Sequence, residues 1–193
     1  MCVIFWLNFE DFWPNQITLT QYPLIFLAIA LAIILAPFPI LYHRSRCWFL
    51  YAHWRVLLSG LYPVEFRDFW LGDMLCSQTY SLGNIALFSC LYVREWNEPG
   101  MCNSSKSRLL GFFTCLPGIW RFLQCLRRYR DTKNAFPHLA NAGKYACTVG
   151  YYVALSLWRI DRSEESKAMF IALGTVNSVY CCKCHPTVHK YLT

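Results

Sequence analysis

Charged residues are scarce in this chain of 193 residues. Asp, Glu, Lys and Arg make up 15% of it, whereas 56% of the residues are hydrophobic and 18% are aromatic. Soluble globular domains carry about 25% charged residues. The shortage of charge therefore argues against an ordinary soluble domain and favours a protein that is solvated by lipid.

The chain also lacks the motifs of the common enzyme classes. It has no glycine-rich phosphate loop, no GxSxG turn and no HExxH helix, so neither an enzyme activity nor a cofactor is predicted. The net charge is +7, but Lys and Arg flank apolar runs instead of lining one polar surface, and nucleic-acid binding is not expected. The first residues lack the basic region and the cleavage site of a signal peptide.

Metal-ligating residues are bunched only near the end of the chain. This cluster consists of Cys182, Cys184, His185 and His189. A zinc site usually draws on two ligand pairs at finger spacing, and here the second pair is missing. No metal site is predicted.

Long apolar runs are what the chain does contain. A spanning helix needs about 20 apolar residues, and residues 23–42 supply them without a charge. Four more candidate spans carry polar residues at intervals, at residues 71–93, 109–126, 138–158 and 168–182. Residues 47–58 are too short to span and are rich in Trp, Tyr and Arg, which is typical of an interfacial helix. The predicted fold is an all-α, polytopic membrane bundle with about five transmembrane helices and one interfacial helix.

Basic residues lie in alternate connections between these spans. One group follows the first span and a second follows residue 126: Arg44, Arg46, Arg55 and Arg67, then Arg127, Arg128, Arg130 and Lys133. Short cytoplasmic loops accumulate Lys and Arg, so both connections are predicted to be cytoplasmic. The leading segment, with Glu10 and Asp11, and the loops at 94–108 and 159–167 fall on the outer side. Asn103 in the first of these loops begins a sequon and is a possible glycosylation site.

The eleven cysteines do not show the paired spacing of a secreted disulfide framework. Most of them lie inside apolar segments. We predict that they are reduced thiols that pack between helices. This prediction includes Cys76, Cys90, Cys115, Cys125 and Cys147.

Polar residues at helical spacing form stripes on three of the candidate spans. The stripes are Asp73, Ser77, Tyr80 and Asn84, with Cys76 beside Asp73; Thr114, Arg121, Gln124 and Arg128; and His138, Asn141, Tyr145, Thr148 and Tyr152, with Lys144 at the edge. Ionisable groups inside a span are costly and mark candidate functional sites. Three such stripes can line one cavity, in which one carboxylate set against Arg121 and Lys144 leaves a net positive charge. Phosphate, sulfate and small carboxylates all fit such a site.

A structural interpretation of the same residues stays open at this point. Asp73 can pair with Arg121 simply to hold two helices together, and Lys144 can extend to the membrane interface. The basic cluster at residues 127–133 is better explained as a determinant of orientation than as a set of ligands.

Three segments resemble the EXS domain of eukaryotic phosphate exporters. They are residues 66–77 (FRDFWLGDMLCS), 81–88 and 117–145 (PGIWRFLQCLRRYRDTKNAFPHLANAGKY). The family includes the xenotropic and polytropic retrovirus receptor and its fungal and plant relatives, and this chain looks like a fungal member. The resemblance implies a partial EXS transmembrane domain over residues 1–182, truncated at both ends, and a divergent tail over residues 183–193 that forms no domain.

The resemblance also implies a function, namely export of inorganic phosphate in the plasma membrane or the Golgi. It puts Asp73, Arg121, Lys144 and Tyr145 on the phosphate pathway. Cys76, which lies beside Asp73, and two residues of the polar stripes, Asn141 and Arg128, are weaker candidates. Inositol pyrophosphate would act only through an SPX domain missing from this sequence, and a homodimer is one possible assembly. The alternatives are a Golgi trafficking or retention factor without independent transport, and an inert fragment.

Overall fold

The computed structural model describes the backbone of residues 16–96, 99–105 and 107–190, and the side chains of residues 21–96, 100–105 and 107–182. Within those residues the chain is all-helical, as predicted, and has no strand. The helices are α1 (Gln16–Leu35), α2 (His43–Leu57), α3 (Phe66–Ser77), α4 (Thr79–Val93), α5 (Arg108–Thr132), α6 (His138–Asp161) and α7 (Glu164–Lys190), with a 3-10 turn at Pro99–Met101. The chain forms two compact units, and the boundary between them falls after Tyr51, inside α2.

The first apolar helix ends earlier than predicted. The predicted span at 23–42 is wrong for residues 36–42, because α1 stops at Leu35. Pro37 and Pro39 follow at once, and proline removes a backbone donor and disfavours helix in the residue before it. Arg46 donates hydrogen bonds to four carbonyl oxygens near this end, those of Ile33, Ala36 (2.9 Å), Phe38 (2.9 Å) and Ile40 (2.8 Å). A cation at a helix C-terminus stabilises such free carbonyls.

The prediction of one helix over residues 71–93 is wrong. The structure has two helices there, α3 and α4, which are separated by Gln78. The Thr79 hydroxyl donates to the Cys76 carbonyl oxygen at 2.8 Å, and short polar side chains of this kind compete with helical backbone bonding. The two helices have 12 and 15 residues, fewer than the roughly 20 that a span needs. The polar stripe predicted across this region is therefore interrupted.

Helix α5 is the centre of the second unit. It continues through Pro117 and packs against α3, α4 and α6, and α6 also packs against α7. Gly118 allows α5 and α6 to approach closely, since a Cβ there would lie 2.8 Å from Val149 Cγ2. In the described part of the chain, α5 is the one helix long and apolar enough to cross a membrane by length and composition.

The prediction that the cysteines are reduced is wrong for one pair. Cys90 and Cys102 form a disulfide that joins the end of α4 to the loop before α5. The sequence offered no paired spacing, because the two partners lie in different structural elements. The other thiols named above are free, namely Cys76, Cys115, Cys125 and Cys147.

The loop that carries this disulfide contacts the turn between α6 and α7. Asn103 is exposed, and its Nδ2 donates to the Gly100 carbonyl oxygen at 3.1 Å. Two residues on, the Ser105 hydroxyl accepts a hydrogen bond from Arg162 Nη2 at 3.0 Å. The loops at 94–108 and 159–167, which are predicted to share a side of the membrane, therefore meet in the structure.

A buried ion pair joins the end of α2 to the start of α3. Arg55 Nε and Nη2 donate to the two carboxylate oxygens of Asp68 at 2.9 and 2.8 Å, and the side chains are only 7% and 5% exposed. Burial by itself would raise the pKa of Asp68, but its bonds to Arg55 and to the Glu65 backbone N–H, with the nearby charge of Arg67, lower the pKa below its usual value. Arg55 is thus a packing residue and not a free loop cation.

Candidate functional site

The guanidinium of Arg121 is enclosed on α5. The residue is 3% exposed, and its Nε donates to the Tyr145 hydroxyl at 3.2 Å. Its Nη1 donates to Gln124 Oε1 at 2.6 Å. The plane of the group also lies over the Phe69 ring, 4.4 Å from the ring centre. Hydrogen bonds and an aromatic face therefore fix this cation in a buried position.

Tyr145 connects Arg121 to Asp73. The hydroxyl accepts from Arg121 and donates to Asp73 Oδ1 at 2.9 Å, which uses both capacities of a phenol. Arg121 Nε also lies 3.4 Å from the same carboxylate oxygen. Three of the four residues that the sequence assigned to the site thus form one hydrogen-bonded group. The Asp73 side chain is 57% exposed, so the group opens outward at the carboxylate.

A polar cavity of about 300 Å³ lies beside this group. Helix α3 contributes Asp73 and Cys76 to its lining, α5 contributes Thr114, and α6 contributes Lys144 and Tyr145. These are the three segments whose polar stripes were predicted to line one cavity. The volume exceeds the roughly 30 Å³ share of one water about tenfold, which leaves room for a small hydrated anion. Arg121 is not in the lining, and it reaches the cavity wall through Tyr145 and Asp73.

Lys144 is the cation that lines this cavity directly. Its Nζ lies 5.4 Å from the centre of the Tyr145 ring, and in the described part of the chain it forms no ion pair. Asp73 contributes one negative charge, while Lys144 and Arg121 contribute two positive charges. The local balance is therefore one net positive charge, and it favours an anion.

The weaker candidates from the sequence lie in different places. Cys76 lines the cavity. Asn141 is half-buried and Arg128 is exposed, and neither belongs to the cavity lining. Tyr80 and Asn84 are exposed on α4, beyond the interruption that separates them from Asp73.

Two residues that contact the Arg121 side chain were not predicted from the sequence. Gln124 was aligned with Arg121 at a spacing of three, yet it was given no role. No sequence pattern marks Gly72, because its role is to leave space for the side chains that pack over it. Both residues are buried against the guanidinium.

A larger cavity of about 630 Å³ lies between α5 and α6. Apolar side chains such as Phe112, Ile119 and Leu157 line most of it, and it contains none of the predicted anion ligands. Arg108 and Asp161 also line it with opposite charges, so this lining provides no net positive charge for an anion. The described residues contain no group of three potential metal ligands, and the side chains of Cys184, His185 and His189 lie outside the described residues.

The amino-acid sequence matches the EXS family over residues 1–183. The chain belongs to the EXS family. The resemblance in the three segments above is therefore confirmed. The EXS family and its solute-carrier relatives are membrane proteins, so a membrane setting is established for the family to which this chain belongs.

Fungal and animal proteins are similar to this EXS chain. It is 43% identical to the Protein SYG1 homolog of Schizosaccharomyces pombe over 92% of the chain and 26% of that protein. It is 46% identical to Protein SYG1 of Saccharomyces cerevisiae over 70% of the chain and 15% of that protein. Human Solute carrier family 53 member 1 is 38% identical over 80% of the chain and 24% of its own length. These identities are consistent with a fungal member, and the chain spans about a quarter or less of each relative.

Proposed function

We propose that this chain carries an anion-binding part of a phosphate-transport pathway in a polytopic EXS bundle. The observation that carries the proposal is the Asp73 carboxylate, which the Tyr145 hydroxyl and the Arg121 guanidinium hold at the wall of a polar cavity. A phosphate oxygen has the same charge sign and the same need for donors as that carboxylate oxygen. The human relative is named as a solute carrier, which supports transport as the process.

The geometry suggests how an anion would reach Arg121. Asp73 is more than half exposed, so its side chain can rotate out of the group at a low packing cost. A phosphate oxygen would then take the place of the carboxylate on Tyr145 and Arg121, while Lys144 attracts the anion as a point charge. Binding in this scheme is an exchange of one anion for another, and it leaves no buried charge without a partner.

A disulfide and a sequon in the same loop support the predicted orientation. The Cys90–Cys102 disulfide requires an oxidising compartment, and exposed Asn103 lies in the same loop. We therefore assign the loop at 94–108 to the lumenal or extracellular side, and the loop at 159–167 to the same side through the contact between Arg162 and Ser105. The basic end of α5 then falls on the cytoplasmic side.

Glycosylation can test this orientation. Expressed in microsomal membranes, the chain should carry a glycan that endoglycosidase removes, and Asn103→Gln should abolish the mobility shift. Arg130→Asn is the matched control, because it creates an Asn-Asp-Thr sequon at the opposite end of α5 and should remain unmodified. A glycan attached at position 130 but not at position 103 would reverse the assignment.

Phosphate binding tests the function. With the chain in lipid nanodiscs and radiolabelled inorganic phosphate as the ligand, Arg121→Ala should raise the Kd by about 10-fold or more, since hydrogen bonds to charged groups contribute roughly 1.5–3 kcal/mol. Arg128→Ala removes the same charge from an exposed position on the same helix and should change the Kd little. Similar losses in both variants would mean that only the overall charge matters.

A second substitution separates binding from folding. Arg121 is buried, so its removal leaves hydrogen-bonding groups without partners and lowers stability. Arg121→Lys keeps the charge but loses the planar pair of donors. We expect it to weaken phosphate binding while the thermal unfolding midpoint stays closer to that of the wild type. Wild-type affinity in a folded Arg121→Lys protein would contradict a role for the guanidinium.

A further inference from the structure

Gln124 occupies an unusual place next to the proposed anion ligand. It is 2% exposed, and it lies one helical turn from Arg121 on the same face of α5. Both ends of its amide are used, because Oε1 accepts from Arg121 Nη1 at 2.6 Å and Nε2 donates to the Asp68 backbone carbonyl oxygen at 3.0 Å. A buried side chain bonded in this way has one orientation.

The partners of Gln124 require an amide at this position. A guanidinium can only donate hydrogen bonds and a backbone carbonyl can only accept them. The side chain between them must therefore accept at one atom and donate at another. A carboxylate would face the carbonyl of Asp68 with a second acceptor, and an apolar side chain of similar length would bond to neither partner.

The acceptor at the far end is itself fixed. Asp68 lies in the first turn of α3, and its carboxylate accepts hydrogen bonds from Nε and Nη2 of Arg55. The sequence of contacts runs from Arg55 to Asp68, then through Gln124 to Arg121. The position of the Arg121 guanidinium is thus fixed relative to the first turn of α3 as well as relative to its own helix, α5.

Gly72 provides the space in which this arrangement fits. A Cβ at Gly72 would lie 2.7 Å from Arg121 Cδ and 3.0 Å from Gln124 Oε1. Real Cβ atoms essentially never approach heavy atoms as closely as the first of these distances. Any larger residue would push the Arg121 and Gln124 side chains away from α3.

We infer that Gln124 and Gly72 are positioning residues that set the location of the Arg121 guanidinium for anion binding. The inference rests on the proposed phosphate function and adds two residues to that site. Neither residue lines the cavity, so both act through Arg121. Their effect on phosphate affinity must therefore depend on the presence of Arg121.

A double-mutant cycle tests this dependence, with inorganic phosphate as the ligand and the chain in nanodiscs. Gln124→Met should raise the Kd about 5-fold in the wild-type background, which is part of the effect of one charged hydrogen bond. In the Arg121→Ala background the same change should have almost no effect, because the group it positions is gone. Gly72→Ala should behave in the same way. Gln78→Met, at an exposed glutamine, is the matched control and should leave the Kd unchanged.

Each outcome of the cycle has a clear meaning. Equal effects of Gln124→Met in both backgrounds, or no effect in either, would overturn the inference and leave the proposed function standing. A wild-type chain that binds no phosphate would contradict the proposed function instead. In that case the side-chain ¹⁵N resonance of Arg121 still tests the positioning role, since Gln124→Met should shift it, and an unchanged resonance would overturn the inference.

Discussion

Two arginine–aspartate pairs in this molecule use the same chemistry in opposite settings. Arg55 and Asp68 form two short hydrogen bonds, and both side chains are at most 7% exposed. Arg121 and Asp73 approach to 3.4 Å through a single nitrogen, and the Asp73 side chain is 57% exposed. The first pair is closed to any competitor, whereas the carboxylate of the second pair borders a polar cavity.

The difference teaches how a structural ion pair can be told from an available one. A buried cation is costly without a partner, so both arginines need an anion. Arg55 donates to both carboxylate oxygens of Asp68 inside the protein, so a competing anion could not reach it without exposing the pair. The anion of Arg121 is an exposed carboxylate, and Lys144, which forms no ion pair with the described residues, lies on the same cavity. An exchangeable partner is what an anion pathway requires.

The closed pair, Arg55 and Asp68, should contribute to stability. Breaking it should have a larger effect than changing the open pair, Arg121 and Asp73. Arg55→Met leaves the Asp68 charge buried without its partner and should lower the free energy of unfolding by about 3–5 kcal/mol. The measurement is denaturant unfolding in detergent micelles. Arg130→Met is the matched control, because Arg130 lies 4.0 Å from Asp131 and the two side chains are 63% and 36% exposed, and such pairs contribute only about 0–1 kcal/mol. Equal losses of unfolding free energy in the two variants would mean that the buried pair stabilises the protein no more than an exposed pair does.

Much of the helical framework could be predicted from the sequence. Apolar length predicted the start of α5 to within one residue and the start of α6 at His138, but α5 continues to Thr132 and α6 to Asp161, past their predicted ends at 126 and 158. Two other helix boundaries were predicted wrongly, because they depend on individual prolines and hydroxyl groups and not on hydropathy. Pro37 and Pro39 ended α1, and the hydroxyl of Thr79 broke the helix predicted over residues 71–93.

The candidate site was predictable in part for a related reason. Helical spacing correctly grouped Asp73, Arg121 and Tyr145 on faces that meet, since ionisable residues in apolar segments must find one another. Spacing could not show that Arg121 stands behind the cavity wall. Gly72 was invisible for the same reason, because a glycine that provides space is recognised only when its neighbours are known. The Cys90–Cys102 disulfide likewise depends on how the loop folds back to α4.

The open pair should respond in affinity, with a smaller loss of stability than the closed pair. Asp73→Asn keeps an oxygen that can accept from Tyr145 and Arg121, but it removes the negative charge that competes with the ligand. Phosphate should therefore bind about 2- to 5-fold more tightly. The free energy of unfolding should fall, because the buried Arg121 loses its counter-charge, but by less than after Arg55→Met, since the amide oxygen still accepts from Tyr145 and Arg121. Asp131→Asn is the control, because Asp131 is paired with Arg127 at 2.9 Å and partly exposed, and it lies outside the cavity lining. Radiolabelled phosphate binding to both variants decides the point: weaker binding after Asp73→Asn would mean that the carboxylate assists the anion, and the exchange scheme would have to be abandoned.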